Sequence, residues 1–151
     1  MIHGQCIVRV IKDFRIDRII GVDNFTAGNP VLKNIYKMAM PPRIEGGIYT
    51  EEEAADEIRK SMPGRESVLL LFKDIQAALR LFKAVDGLPK ELNIGPMSSR
   101  KNTKKATMYA YLTDDEIKAI CEIADMGIRV YFNQTIDQKT EEWEKIRARV
   151  I

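Results

Sequence analysis

The sequence predicts an α/β fold with a mostly parallel central sheet and helices on both faces. Three observations predict it. Six short apolar runs of strand type are spread along the chain, amphipathic stretches with helical spacing lie between them, and cap or turn residues mark the junctions. No linker, internal repeat or composition break divides the 151 residues, so residues 1–151 are expected to form a single domain. A chain of that length buries about two thirds of its unfolded surface.

Taken in order, Ile7, Val10, Ile11 and Phe14 fall at i, i+3, i+4 and i+7 and predict a first helix. Arg18–Val22 then reads as a short buried strand. Asn29-Pro30 is an N-cap followed by proline at the first helical position, opening a helix expected to turn Leu32, Ile35, Tyr36 and Ala39 inward. Pro41-Pro42 ends it. Gly47–Tyr49 is a strand candidate, and Thr50 with Glu53 forms a capping box for a helix to about Lys60. Ser67–Phe72 is the clearest strand; it lacks polar alternation, as expected when both sheet faces are covered.

Asp74 caps the next helix, whose inner face is Ile75, Ala78, Leu79 and Phe82. Glu91–Gly95 is another strand, Ser98–Lys105 a polar loop and Tyr109–Leu112 a further strand. Thr113 and Glu116 repeat the capping box, for a helix facing inward with Ile117, Ile120, Cys121 and Ala124. Gly127 closes that helix in the left-handed conformation. Ile128–Phe132 is the last strand, and Trp143, Ile146 and Val150 mark a terminal helix.

Apolar residues are 45% and charged residues 30% of the chain, a balance suited to a folded globular protein rather than a disordered one. A net charge of +2 gives no ground for a nucleic-acid partner. Cys6 and Cys121 both fall in helical apolar patterns and read as buried free thiols of a reducing compartment. The longest strongly apolar run, Val68–Phe72, is far short of a membrane span. Arg9, Lys12 and Asp13 interrupt any signal-peptide core. A cytoplasmic address is expected, compatible with peripheral association with a membrane complex.

His3 is the single histidine, in Ile2-His3-Gly4-Gln5, just before the first apolar pattern. An imidazole there lies beside exposed helix N–H groups, which with the helix dipole hold anions, including a phosphoryl group on the ring itself. Its neutral form is abundant near pH 7 and nucleophilic. The plain alternative is a solvent-exposed side chain near a chain end. Glycine at position 4 lets the backbone approach a phosphoryl group closely, or simply makes a turn. The Gln5 side chain either donates to an oxygen or faces solvent. The backbone N–H groups of Gly4, Gln5 and Cys6 are the candidate phosphate donors.

The densest positive run is Arg100-Lys101-Asn-Thr-Lys104-Lys105, read either as a rim attracting an anionic partner or as a solvated loop. Met97 and the Gly95-Pro96 turn belong to the same rim. Asp23, Asn24 and Asp74 follow strands, where an aspartyl phosphorylation site would lie; helix capping explains them more simply. The sequence shows neither a glycine-rich nucleotide loop nor a spaced metal-ligand set, so no cofactor is expected.

The segments Ile2-His3-Gly4-Gln5, Arg18-Ile-Ile-Gly-Val-Asp23, Asn29-Pro30, Lys37-Met-Ala-Met-Pro-Pro42, Ser67-Val-Leu-Leu-Leu-Phe-Lys73, Ala77-Ala-Leu-Arg-Leu81, Glu91-Leu-Asn-Ile-Gly95 and Tyr111-Leu-Thr-Asp-Asp115 follow one another nearly end to end. In that order they resemble the IIB component of the mannose/fructose/sorbose family of bacterial phosphotransferase systems. The Ile-His-Gly-Gln and Met-Ala-x-Pro-Pro elements are specific in combination. The resemblance implies a mostly parallel sheet with an active histidine on the first strand-to-helix loop. It also implies a phosphocarrier: the histidine takes a phosphoryl group from the phosphohistidine of a IIA component and passes it to a hexose moving through the membrane IIC/IID components. His3 matches the family's phosphorylated residue, and Gly4 and Gln5 match its loop. The sugar is not named by these residues.

The chain departs from the family's pattern in one respect. The pattern has a strand and an Arg/Asp-bearing loop upstream of the histidine, where only Met1 and Ile2 stand here. The family's first strand is therefore expected to be missing, leaving ladder groups unpaired and favouring oligomers or strand borrowing. The alternative reading is a binding module of the same fold that docks partners without phosphoryl transfer.

Overall fold

The computed structural model describes residues 16–40, 42–64, 66–133 and 139–151, together with the backbone of residues 6–9. The first half of the chain holds β1 (Cys6–Arg9), β2 (Arg18–Val22), α1 (Asn24–Ala27), α2 (Pro30–Met38), β3 (Glu45–Tyr49), α3 (Glu51–Ser61) and β4 (Val68–Phe72). It continues with α4 (Ile75–Ala84), β5 (Glu91–Ile94), β6 (Thr103–Lys105), β7 (Tyr111–Thr113), α5 (Asp114–Asp125), β8 (Arg129–Phe132), β9 (Glu141–Glu142) and α6 (Trp143–Val150). At least one helix separates each successive pair in the series β2, β3, β4, β5 and β8, as an α/β fold requires.

Seven strands share one sheet in the order β3-β2-β4-β1-β5-β8-β9, and β6 with β7 makes a separate ribbon. β2 runs parallel to both β3 and β4, and β5 parallel to β8. β1 lies between β4 and β5 and is antiparallel to both, while β9 is antiparallel to β8. The registers chain together into one row across all seven strands: Tyr49, Val22, Phe72, Cys6, Ile94, Phe132 and Glu141. Because β1 is reversed, its first residue stands level with the last residues of its neighbours. This row defines the carboxyl edge of the sheet.

Most junctions close with the expected chemistry. Thr50 and Glu53, and again Thr113 and Glu116, form reciprocal capping boxes. Asn29 accepts from the amides of Val31 and Leu32, and Asp74 from that of Ala77. Gly127 takes φ 83°, the left-handed stop of α5. Ile20, Leu70, Phe72, Leu92, Ile94, Leu112 and Ile120 are buried in a single apolar cluster with Trp143 and Ile146 of α6. Cys121 is a free thiol, half-buried against that cluster.

Four expectations are corrected. The helix predicted from Ile7 is a strand over its described part, Cys6–Arg9; residues 10–14 lie outside the described residues. Ile7 and Val8 are β-branched, and two strands with open ladder positions flank them, so tertiary pairing overrides the 3.6-residue spacing. Tyr109–Leu112 contributes to β7, which pairs with β6 outside the main sheet; β6 itself arises within the segment expected to be loop. β4 is not covered equally on its two faces, since Val68, Leu70 and Phe72 are buried while Leu69 and Leu71 are partly exposed. Finally, α2 buries none of its residues. Leu32 and Tyr36 are half-buried, whereas Val31, Ile35 and Met38 are 69%, 54% and 77% exposed, so its most apolar stripe faces outward.

Candidate functional site

Ligands of open α/β sheets bind beyond the carboxyl ends of the strands, where strand-to-helix loops converge. Here those loops start one residue past the Val22–Phe72–Ile94–Phe132 row. Asp23 follows β2, Lys73 and Asp74 follow β4, Gly95 to Arg100 follow β5, and Asn133 follows β8. Lys73, Asp74, Pro96, Met97, Arg100 and Glu116 are among the walls of a cavity of about 350 Å³ at this edge. A second hollow of about 530 Å³ lies alongside, between the ends of β5 and β8, the Thr107–Ala110 loop and the start of α6.

Three acidic groups at the edge serve helix starts. Asp23, buried, accepts from the Phe25 amide at 3.2 Å and from the Thr26 hydroxyl. Asp74 accepts from the Ala77 amide at 2.7 Å, and Glu116 from the Thr113 amide at 2.8 Å. These carboxylates neutralise the positive ends of α1, α4 and α5, so the cations of the edge must supply any attraction for an anion. Two of those cations line the cavity. Arg100 donates to Glu116 Oε1 at 2.8 Å, to the Tyr111 carbonyl at 3.1 Å and to the Ser98 carbonyl at 3.1 Å. Lys73 Nζ stands 3.7 Å from Asp23 Oδ2 and 5.4 Å from the centre of the Phe25 ring.

The residues singled out from sequence fall into three groups. His3, Gly4 and Gln5 lie outside the described residues. Cys6 is a ladder residue opposite Phe72 and Ile94, so its backbone groups lie in the sheet plane rather than at a helix mouth. Met97 and Arg100 do come together at the cavity, although Met97 is buried and spends its backbone on Tyr109 and Tyr111. Lys101 is exposed on the turn that follows. Asp23, Asn24 and Asp74 behave as caps and turn residues: Asn24 accepts from the Glu51 amide at 2.8 Å and donates to its side chain at 3.0 Å. Sequence reasoning missed Lys73. The available signal was its place directly after the clearest strand.

A family model described as "PTS system sorbose subfamily IIB component" matches residues 1–150. The chain belongs to that family. It is similar to the fructose-specific EIIB component of Bacillus subtilis (strain 168), 25% identical over 150 residues that cover 99% of this chain and 91% of that protein. It is also 25% identical over 132 residues to the mannose-specific EIIAB component of Escherichia coli (strain K12), covering 86% of this chain but only 40% of that protein's length. Among solved structures, the IIBSor domain of the sorbose permease from Klebsiella pneumoniae has a TM-score of 0.80 at 20% identity, covering 90% of this chain and 83% of that one; it supports the fold. IIB components are phosphotransferases in general terms and work with IIA and membrane IIC/IID partners. Among the described residues no helix of this IIB component is long and apolar enough to cross a membrane.

Proposed function

We propose that this IIB component carries a phosphoryl group on His3. The group comes from the phosphohistidine of a IIA component and goes to a hexose handled by membrane IIC/IID components, with the chain working on the cytoplasmic side of that transporter. The observation that carries this reading is the register of β1. Cys6 opens that strand at the carboxyl edge, between Phe72 and Ile94, and only Gly4 and Gln5 separate it from His3 in sequence. Three peptide units span at most about 11 Å, a reach that supports reading His3 as the partner of the edge where Lys73 and Arg100 stand. Transfer between two imidazoles needs in-line positioning and donors for three equatorial oxygens rather than covalent help. The amides of Gly4 and Gln5 and the cations of the edge are the groups assigned to that task; Met97, Arg100 and Lys101 form its rim.

Incubation with a phosphorylated IIA partner is expected to yield an acid-labile, base-stable phosphoprotein. Labelling that persists in His3→Ala would refute the assignment. Binding of the IIA partner with no phosphoryl uptake by the wild type would instead favour a docking module of the same fold.

A further inference from the structure

We propose that Lys73 is the side chain that meets the transferred phosphoryl group, releasing Asp23 to do so. This rests on the reading of His3 as the phosphorylated residue. The two cations at the cavity are held very differently. Arg100 has three acceptors within 3.1 Å, one of them the buried Glu116 carboxylate. Drawing Arg100 away would strand a buried charge, which is costly. Among the described residues Lys73 pairs with one carboxylate, that of Asp23, at 3.7 Å, beyond hydrogen-bonding distance. Its side chain is 54% exposed. Asp23 is as buried as Glu116, so the two cations differ in their contacts rather than in their partners' burial. Lys73 makes no hydrogen bond to its carboxylate, whereas Arg100 makes one and two more to carbonyls, and a lysine head on a four-carbon stem swings easily. Asp23 loses no hydrogen bond in the exchange, because the Phe25 amide and Thr26 hydroxyl continue to donate to it.

Location agrees with this division. Lys73 follows Phe72, the residue paired with Cys6, so it leaves the sheet beside the strand that leads back to His3. A phosphoryl dianion arriving there meets Asp23, Asp74 and Glu116 nearby and needs a cation free to approach it. Arg100 then holds the loop, and Lys73 follows the charge.

In the step itself, the P–N bond to the donor imidazole breaks as an unprotonated ring nitrogen of His3 bonds to phosphorus. The electron pair of the broken bond stays with the departing ring. That ring takes up a proton as the His3 ring gives up the one on its other nitrogen, so no proton is gained or lost overall. Lys73 Nζ donates hydrogen bonds to a phosphoryl oxygen throughout and keeps its own protons.

The test compares single-turnover labelling by phosphorylated IIA in the wild type, Lys73→Gln, Lys73→Arg and Asp23→Asn, with affinity for unphosphorylated IIA measured calorimetrically. Lys73→Gln is expected to slow labelling about 100-fold, the scale for losing one preorganised donor, without changing that affinity. Lys73→Arg keeps most of the rate. Asp23→Asn preserves the cap on α1, removes the competing charge, and labels at least as fast as the wild type. Wild-type labelling in Lys73→Gln overturns the proposal, as does a matching loss of IIA affinity. Equal slowing in Lys73→Gln and Asp23→Asn also overturns it, by showing that the pair acts only as a brace. A wild type that never labels at His3 defeats the parent reading instead.

Discussion

Arg129 grips Glu142 with a fork: its Nε donates to Oε1 at 2.8 Å and a terminal nitrogen to Oε2 at 2.7 Å, fastening β8 to β9 at the sheet edge. The guanidinium also lies 4.4 Å from the centre of the Tyr131 ring. The hydrogen bonds from Arg129 are the main reason the Glu142 carboxyl titrates below its ordinary value, and those to Glu142 raise the arginine in turn. A carboxyl lowered on folding contributes stability that is present above its unfolded pKa and lost as pH falls through its folded one. Both side chains are more than a third exposed, which limits the gain. Arg129→Gln is therefore expected to cost at most about 1 kcal/mol at neutral pH. An NMR titration should find Glu142 moved back up toward the ordinary carboxylate range.

Gly46 allows β3 to pass close to β2. Its φ of +136° lies in glycine territory, and a Cβ built there would stand 1.9 Å from the Ile19 carbonyl oxygen. Gly46→Ala must therefore shift backbone within the Arg18–Val22 ladder. A loss of about 2–4 kcal/mol in urea denaturation is expected, near the upper end for single substitutions. Gly47→Ala, with nothing within 4 Å of the added Cβ, should be far milder.

The capping boxes offer a test with a pH signature. Glu53 is lowered chiefly by the hydrogen bond from the Thr50 amide and next by the Thr50 side chain. Thr50→Ala is expected to cost about 1 kcal/mol at neutral pH. The charged carboxylate's share of the box is fully present above the unfolded glutamate pKa and is lost as pH falls through the lowered folded value, while the bond from the Glu53 amide to the Thr50 hydroxyl remains. Thr50→Ala keeps the amide that donates to Glu53, so its cost should largely persist at low pH, whereas acid unfolding curves of the wild type and Glu53→Gln should converge there.

These caps were legible in the sequence because they are local: four residues carry both halves of a box. So were Arg18–Val22 and Val68–Phe72, whose composition suits strands in almost any environment. What the sequence did not show depends on distant partners. Cys6–Arg9 has helical spacing with its neighbours and becomes a strand because β4 and β5 lie on either side of it. Thr103–Lys105 is too polar to read as a strand until β7 folds back onto it. At the site, Arg100 stood out as part of a charge run, but its bond to Glu116 spans 16 residues and leaves no pattern. Lys73 left even less trace, since one lysine after a strand is common.

The outward stripe of α2 is checked by contrast with the core. Ile20 is fully buried between the neighbours of β2, so Ile20→Ala should cost about 2–5 kcal/mol by removing methyl groups and leaving a cavity. Ile35, despite its helical spacing, is 54% exposed, and Ile35→Ala should stay within about 0.5 kcal/mol of wild type. Equal losses at the two positions would contradict the orientation of α2.

The bond between Arg100 and Glu116 distinguishes a loop fastener from an ordinary surface cation. Glu116 is buried and accepts from both Arg100 and the Thr113 amide, so Arg100→Gln leaves its charge short of one strong donor. A cost of about 1.5–3 kcal/mol follows from losing a hydrogen bond to a charged group. Glu116→Gln keeps an acceptor for the Thr113 amide while removing the charge, and in that background Arg100→Gln should cost much less. The coupling in such a double-mutant cycle is expected within about 0.5–3 kcal/mol. Strict additivity would mean that Arg100 is indifferent to Glu116, and the contrast drawn between a fixed Arg100 and a movable Lys73 would lose its physical basis.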